Sequence, residues 1–593
     1  MAKKSNVAPK EIISLMSKIK RAEDIRQKAD EKFGFSRALA QYQNDYSSIM
    51  PSFLTDTDLV PINEVYAFVK TFVPSVYSRD PHISVSPMNT KSVKGSKIAE
   101  LMVNSYWREL KLKREVKRCL IDAILAEGWM KCGYSASLGK VARKDDEKPG
   151  LESNEFIQSD EIFATRLSWQ NMVRDPDAIN GIYDARWVAQ NIIKPIDAVK
   201  NSTLYENTEN LQPSFVIRGE RKISGVGLKN VPGEDIAYAS LWEIWDMDQD
   251  KVFTISEGCS EYLMNKDWPY KMQGYPFELV RFNDNPDEAY APNLIGPWEP
   301  QLWEKIKIRA MQLDHLKRYN RQLSVEEGAM SKSEIEKMRL GRTGSITTRK
   351  KGSNPPIPLP YPPLQSDIYG IENKIDLDKD NISGQPNAVR SAPQKTQSRT
   401  LGEIDNLISA FQSRQSEPQD VIEEFSAGIA TKIIGLTQQY LNGEKYVRAS
   451  GRDIEEIQAS LVDENGQSRF DGKGFNFTKK DIQGMEFSVS IKSGSTLPLD
   501  RKNRIDSMIA MLKLGPTLGI QPGGLVSRTI GKNMISEFEL PEVEAAFDEE
   551  QKQIDLQKQI QAKMMQQNND LAQTKLNNMR AAGPPQDGGQ GGM

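Results

Sequence analysis

The apolar residues of this chain fall at three- and four-residue steps over several long stretches and alternate with polar ones over others, which predicts an α+β fold. From Pro9 to about Ala40, the residues Ile12, Ile13, Leu15, Met16, Ile19, Ala22 and Ile25 mark one amphipathic helix. Its polar face mixes both charge signs, which fits a packed arm better than a membrane-surface helix. Ile62, Val65, Tyr66, Val69, Val73 and Tyr77 predict a second helix, and Pro81 and Pro87 bound the strand-like ISVSP after it. Ser96 to Ala126 reads as a third helix, closed by Gly128, and WMKCGYSAS then alternates like a half-buried strand. Between Glu155 and Val280 short strands predominate: FIQSDEIFATRLS, ARWVAQNII, ASLWEIWDM, KVFTISEG and FELVRF. Trp187, Trp242 and Trp245 lie within those strands and are expected in the core rather than as base-stacking platforms.

The region Asn293 to Asn442 is the most informative. Pro297 and Pro300 open a helix that continues through Leu302, Ile306, Ala310, Leu313 and Leu316. Next come short strands and turns in SVEEGAM, a small helix in SEIEKMRLG, then GSITTRKKG and NPPIPLPYPPL. The proline run excludes helix, because each proline lacks an amide donor and biases its predecessor toward extended backbone. Helical spacing resumes near Ser366 with Ile368, Ile371, Ile375 and Leu377, and stops at Gly384 and Pro386. The loop GQPNAVRSAPQKTQSR leads into a long helix from Thr400 to Asn442, with Pro418 inside it as the expected kink. Beyond it, GFNFTKKDIQGMEFSVSIKSGS alternates as a strand pair, residues to Phe547 form a helical cluster, and a Gln- and Lys-rich run from Asp548 ends in PPQDGGQGGM.

At 593 residues the chain is too long for one growing core. Its 78 basic and 81 acidic side chains give a net charge of -3, so any contact with nucleic acid must be regional. Three cysteines without CxxC spacing, Cys119, Cys132 and Cys259, argue against a disulfide framework or zinc ribbon and for a reducing compartment. Neither a signal-peptide core nor an apolar window of about 20 residues is expected.

Catalytic chemistry finds little material. A phosphate loop needs GxxxxGK[ST], and Gly524 to Asn533 and Gly344 to Lys351 have the wrong spacing. His82 and His315 stand far apart, so no metal cluster or Ser/His/Asp relay is expected, and acids such as Asp453, Glu455 and Glu456 read as solvated. Two basic groups stand out: Arg339, Arg342, Arg349, Lys350 and Lys351 in the insert, and Arg390, Lys395 and Arg399 in the loop. Both suit transient phosphate contacts, and both suit solvated loops or a contact with an acidic subunit surface.

The order helix, strand-rich insert, helix, loop, long kinked helix resembles the core of tailed-bacteriophage portal proteins. Several strings are similar to that family too: VPINEVYAFVKTFVPSVYSRDPHISVSP, AILAEGWMKCGYS, LSWQNMVRDPDA, and NISGQP leading to SRTLGEIDNL. The resemblance divides the chain into an N-terminal helical arm (1–59), the first part of a sheet-rich wing (60–292) and a first stem helix (293–323). A small α/β clip (324–364), a second stem helix (365–383), a tunnel loop (384–399) and a channel-side helix (400–442) follow. The second part of the wing (443–496), a helical crown (497–547) and a helical or disordered tail (548–593) complete it.

The resemblance implies a homo-oligomeric ring, a dodecamer, at one capsid vertex of a virion, assembled in the host cytoplasm. It implies double-stranded DNA in the channel; terminase, major capsid protein and tail adaptor as partners; and no membrane, cofactor, metal or catalytic residue. Arg390, Lys395 and Arg399 would touch DNA, and the basic group of the clip would meet adaptor, terminase or a neighbouring subunit. A near-neutral chain suits a conduit, since strong phosphate contacts multiplied by ring symmetry would stall a moving duplex. The alternative, a nucleic-acid-processing enzyme of the terminase ATPase or nuclease kind, lacks the phosphate loop it would need.

Overall fold

The computed structural model describes residues 10–50, 61–142, 156–202, 204–217, 220–221, 231–232, 236–319, 323–340, 346–358, 367–384, 401–441, 444–448, 474–492, 513, 530–531 and 563–564. The chain divides into two compact units, Met1–Pro498 and Leu499–Met593. In the second unit the described residues are helical. The expected crown, tail and tunnel loop therefore lie outside the described residues, except for these positions and Gly384.

The first unit is α+β. Its arm is α1 (Lys10–Phe33) and α2 (Phe35–Tyr42). The single helix expected over 9–40 is thus broken, because Gly34 adopts the left-handed conformation at φ +74° and ends α1 through its amide on the Asp30 carbonyl. Then come α3 (Glu64–Val76), capped by the Asn63 side chain on the Tyr66 amide, and strand β1 (Ile83–Pro87). A second expected helix is also split, into α4 (Val93–Glu109) and α5 (Leu112–Leu125), since Lys111 turns the chain at φ +53°.

The strands that follow are β2 (Gly128–Ala142), β3 (Phe156–Leu167), β4 (Met172–Arg174) and β5 (Trp187–Pro195). After the short α6 (Ile196–Lys200) come β6 (Phe215–Ile217), β7 (Glu220–Arg221), β8 (Val231–Pro232), β9 (Ile236–Asp246), β10 (Lys251–Ser256), β11 (Met264–Asp267) and β12 (Phe277–Val280). A six-stranded antiparallel sheet runs β11-β10-β9-β5-β4, with β6 continuing beside β9, and a second sheet runs β12-β2-β3. Ile12, Leu15, Ile19 and Ala22 of α1 bury the apolar stripe of the arm in one cluster with Trp187, Ala189, Trp242, Ile244, Phe253 and Ile255 of the larger sheet. The arm is packed, and Trp187, Trp242 and Trp245 are buried as expected.

Asn293 then uses its side-chain oxygen on the amides of Ile295 and Gly296, a turn that launches α7 (Glu299–Tyr319). The insert is β13 (Leu323–Ser324), α8 (Lys332–Leu340) and β14 (Ile357–Pro358), and α9 (Asp367–Ser383) returns from it. Among its described residues the neck strands are the extended pieces, and the rest of SVEEGAM and the described part of GSITTRKKG are turns and irregular backbone, within the short strands and turns expected there. Gly384, at φ +69° with its amide on the Asp380 carbonyl, ends α9.

The 40-residue α10 (Leu401–Tyr440) buries Ile422, Phe425, Ile429, Ile433 and Leu436 in the main core, together with α3, α4, α5 and β2 side chains. It is followed by β15 (Lys445–Arg448), β16 (Gly474–Phe477) and β17 (Phe487–Ile491). The strands β16 and β17 do not pair with each other as expected. Instead β16 pairs with β15, and β17 crosses to β1 in the register Ile83↔Ile491 to Pro87↔Phe487.

Candidate assembly and nucleic-acid interface

The helices α7 and α9 form an antiparallel pair held to the body by four charges. Lys305 Nζ donates to Glu64 Oε1 at 2.9 Å and to Asp376 Oδ1 at 2.6 Å. Lys379 Nζ donates to the same Asp376 oxygen at 3.0 Å and to Glu64 Oε2. Burial alone would raise the Glu64 carboxyl, but the ammonium groups of Lys379 and Lys305 outweigh it and hold it below its ordinary value. Asp376 is likewise held down against burial, first by the Lys305 hydrogen bond, and Lys305 is raised against burial by Asp376 and Glu64. Sequence reasoning missed this cluster. A signal existed: Lys379 continues the Ile368, Ile375 stripe of α9 at a four-residue step, where a solvated lysine would not be placed.

A second anchor joins the arm to the first turn of α7. The Glu299 carboxylate accepts Arg37 Nε and Nη2 at 3.2 Å, Gln41 Nε2 at 2.9 Å and Trp303 Nε1 at 3.3 Å. The pair is therefore anchored at its base. Leu302, Ile306 and Ala310 of α7 are buried, whereas Met311 and Leu316 are 53% and 57% exposed.

The far end of the pair carries the insert. Leu323↔Pro358 and Ser324↔Ile357 close its neck. Among its described residues only Ala329 is buried, while Ile335, Leu340, Ile346 and Ile357 are exposed, Ile346 at 82%. Of the basic group expected there, Arg339 sits on α8 and pairs with Glu336 at 3.3 Å. Arg349, Lys350 and Lys351 form one exposed turn, and Arg342 lies outside the described residues. Arg390, Lys395 and Arg399 also lie outside them.

In the body, α10 is clamped along its C-terminal half. Lys432 Nζ pairs with Glu278 of β12, where burial pushes the carboxyl up and the ammonium recovers part of the shift. Gln439 Nε2 and Tyr440 Oη donate to the Pro269 carbonyl at 2.7 and 2.6 Å, and Gln438 Nε2 reaches the carbonyls of Ile482 and Met485 at 2.9 Å.

Other candidate chemistry is sparse among the described residues. They contain no group of three potential metal ligands and no helix long and apolar enough to cross a membrane. A cleft of about 510 Å³ beside α1 carries Lys28, Lys32, Asp177, Asp287 and Glu288 on its rim, with Lys32 and Glu288 paired across it at 2.6 Å. Cys119, Cys132 and Cys259 are all buried free thiols; burial pushes the Cys132 thiol up to about 12 and the Cys119 thiol well above its ordinary value. Comparison with protein-family models and with curated proteins finds no match for the chain.

Proposed function

We propose that this chain is the subunit of a portal ring, a non-enzymatic conduit for double-stranded DNA at one vertex of a viral capsid. The observation that carries the reading is the α7–α9 pair. It is two antiparallel rods with ion-paired bases, and they carry an insert whose described residues bury only Ala329. An insert whose described residues expose Leu323, Leu340 and Ile357 near its neck and helix end and bury one alanine gains cover for those side chains from neighbouring copies. In this reading α7 and α9 are the stem and Ser324 to Leu364 the clip. The two sheets are the wing, which β17 rejoins, and α10 is the channel-side helix, reached through a tunnel loop bearing Arg390, Lys395 and Arg399.

The ring would be a dodecamer that docks terminase and later the tail adaptor, contacts the major capsid protein and resides in the virion. A separate motor would supply the energy. Negative-stain images of the purified full-length protein test the reading. Rings with an axial hole are expected, and a monodisperse monomer at micromolar concentration would overturn it.

A further inference from the structure

We propose that the turn Arg349–Lys351 of the insert is a docking site for an acidic, apolar-bearing segment of a partner protein, and not a contact for DNA. The inference rests on the portal reading and adds the chemistry of the partner at that end of the stem. The insert from Ser324 to Leu364 carries seven basic and four acidic side chains, a local balance of +3 in a chain whose net charge is -3. On α8 two of the three cations are ion-paired, Lys337 with Glu334 at 2.8 Å and Arg339 with Glu336 at 3.3 Å. Arg349, Lys350 and Lys351 pair with no carboxylate among the described residues, and all three are exposed.

The turn is fixed from within. The Lys350 amide donates to the Ala329 carbonyl at 2.9 Å, Ser353 returns its amide and hydroxyl to the Lys350 carbonyl at 3.2 and 2.8 Å, and Arg349 Nη1 donates to the Ser353 carbonyl at 2.9 Å. Gly352, at φ +94°, takes the left-handed corner that an L side chain would resist. The flanking acids hold the frame: Glu334 accepts the Thr348 amide at 3.1 Å and Glu326 the Asn354 amide at 3.0 Å. A charge cluster on a braced backbone loses less entropy on binding than one on a floppy loop.

Two arguments choose protein over nucleic acid. Three cations per copy that pair with no carboxylate among the described residues, repeated around a ring, would grip a sliding duplex through many released counterions, whereas a stationary partner can be held that tightly. In addition, Ile346, 82% exposed, stands three residues before the turn, and Ile335 follows the very glutamate that holds Thr348. Phosphates leave such side chains in water. An acidic segment with its own Leu or Phe buries them and meets the cations at the rim.

The test uses the full-length protein and three fluorescent probes: an acidic peptide alternating Glu with Leu, a Glu/Ser peptide of equal charge, and a 30-base-pair duplex. Anisotropy at about 150 mM salt should show the Glu/Leu peptide bound at least tenfold tighter than the Glu/Ser peptide. K350E/K351E should abolish that binding, and Ile346→Ser should weaken it severalfold. Equal affinity for the two peptides, no binding of either, or indifference to Ile346→Ser would overturn the proposal. So would duplex binding that K350E/K351E removes while peptide binding persists. Images of the same samples separate the two readings: rings without peptide binding sink the site alone, and monomers that bind the peptide sink the ring alone.

Discussion

Single side chains set how firmly the elements meet. At Gly428 on α10, a Cβ would stand 2.4 Å from Glu278 Oε1, and that carboxylate is buried and committed to Lys432. Helix propensity alone favours alanine over glycine by about 1 kcal/mol, whereas overpacking costs about 1–3 kcal/mol. Gly428→Ala should therefore lower stability by roughly 1–2 kcal/mol, read as an earlier urea midpoint; a later midpoint would show that the helix can stand off from β12. The stem cluster answers to pH. Glu64 and Asp376 have folded-state values below their ordinary 4.5 and 3.8, so their contribution is present above those values and is lost as pH falls through the lower folded-state ones. Lys305 has its value raised above 10.5, so its contribution is complete below that pH and lost only in stronger alkali. Glu64→Gln leaves Lys305 and Lys379 to share the single carboxylate of Asp376 and should cost about 1.5–3 kcal/mol at pH 7. The gap between mutant and parent should narrow as pH falls below 4.5 and through the lower folded-state value of Glu64, followed by urea titrations across pH; a constant gap would place the loss in packing instead.

Elements were legible where the chain punctuates them. Pro297 announces α7, and Gly384 with Pro386 announces the end of α9, because those residues act on their own backbone. The breaks at Gly34 and Lys111 were not, since the apolar stripes run straight through both and a lysine at positive φ leaves no compositional mark. The stem charges escaped because Lys305 looks like an ordinary helix-surface lysine, and the stripe position of Lys379 names no partner until Glu64, far away in sequence, is brought between them. The basic turn of the insert was legible as composition, but its bracing by Ala329 and Ser353 was not. One element-level experiment follows from the neck pairing Leu323↔Pro358, which places the two ends of the insert side by side. Joining Ser324 to Ile357 through a two-residue Asn-Gly turn should leave the circular dichroism spectrum and melting temperature of the body nearly unchanged. The same deletion should abolish rings. If rings persist, the insert is not what holds copies together.

For the whole molecule, a near-neutral composition and a few cations in the loop before α10 suit a conduit that touches its cargo lightly. Replacing Arg390, Lys395 and Arg399 together by alanine should spare ring formation and alter DNA packaging or retention, with a weaker dependence of DNA association on salt. Unchanged retention at every ionic strength would remove their role. The strand pair β1–β17 has a further consequence, for the newborn chain. Ile83 leaves the ribosome roughly four hundred residues before Ile491, its ladder partner, and at about 5–20 residues per second that delay is on the order of 20–80 s. For most of that interval α3, α4 and β1 wait with their apolar faces unroofed by α10. A holdase bound over that interval would shield those faces, and the yield of the protein in a chaperone-depleted translation extract should fall more steeply than that of a chain circularly permuted to bring the two strands together.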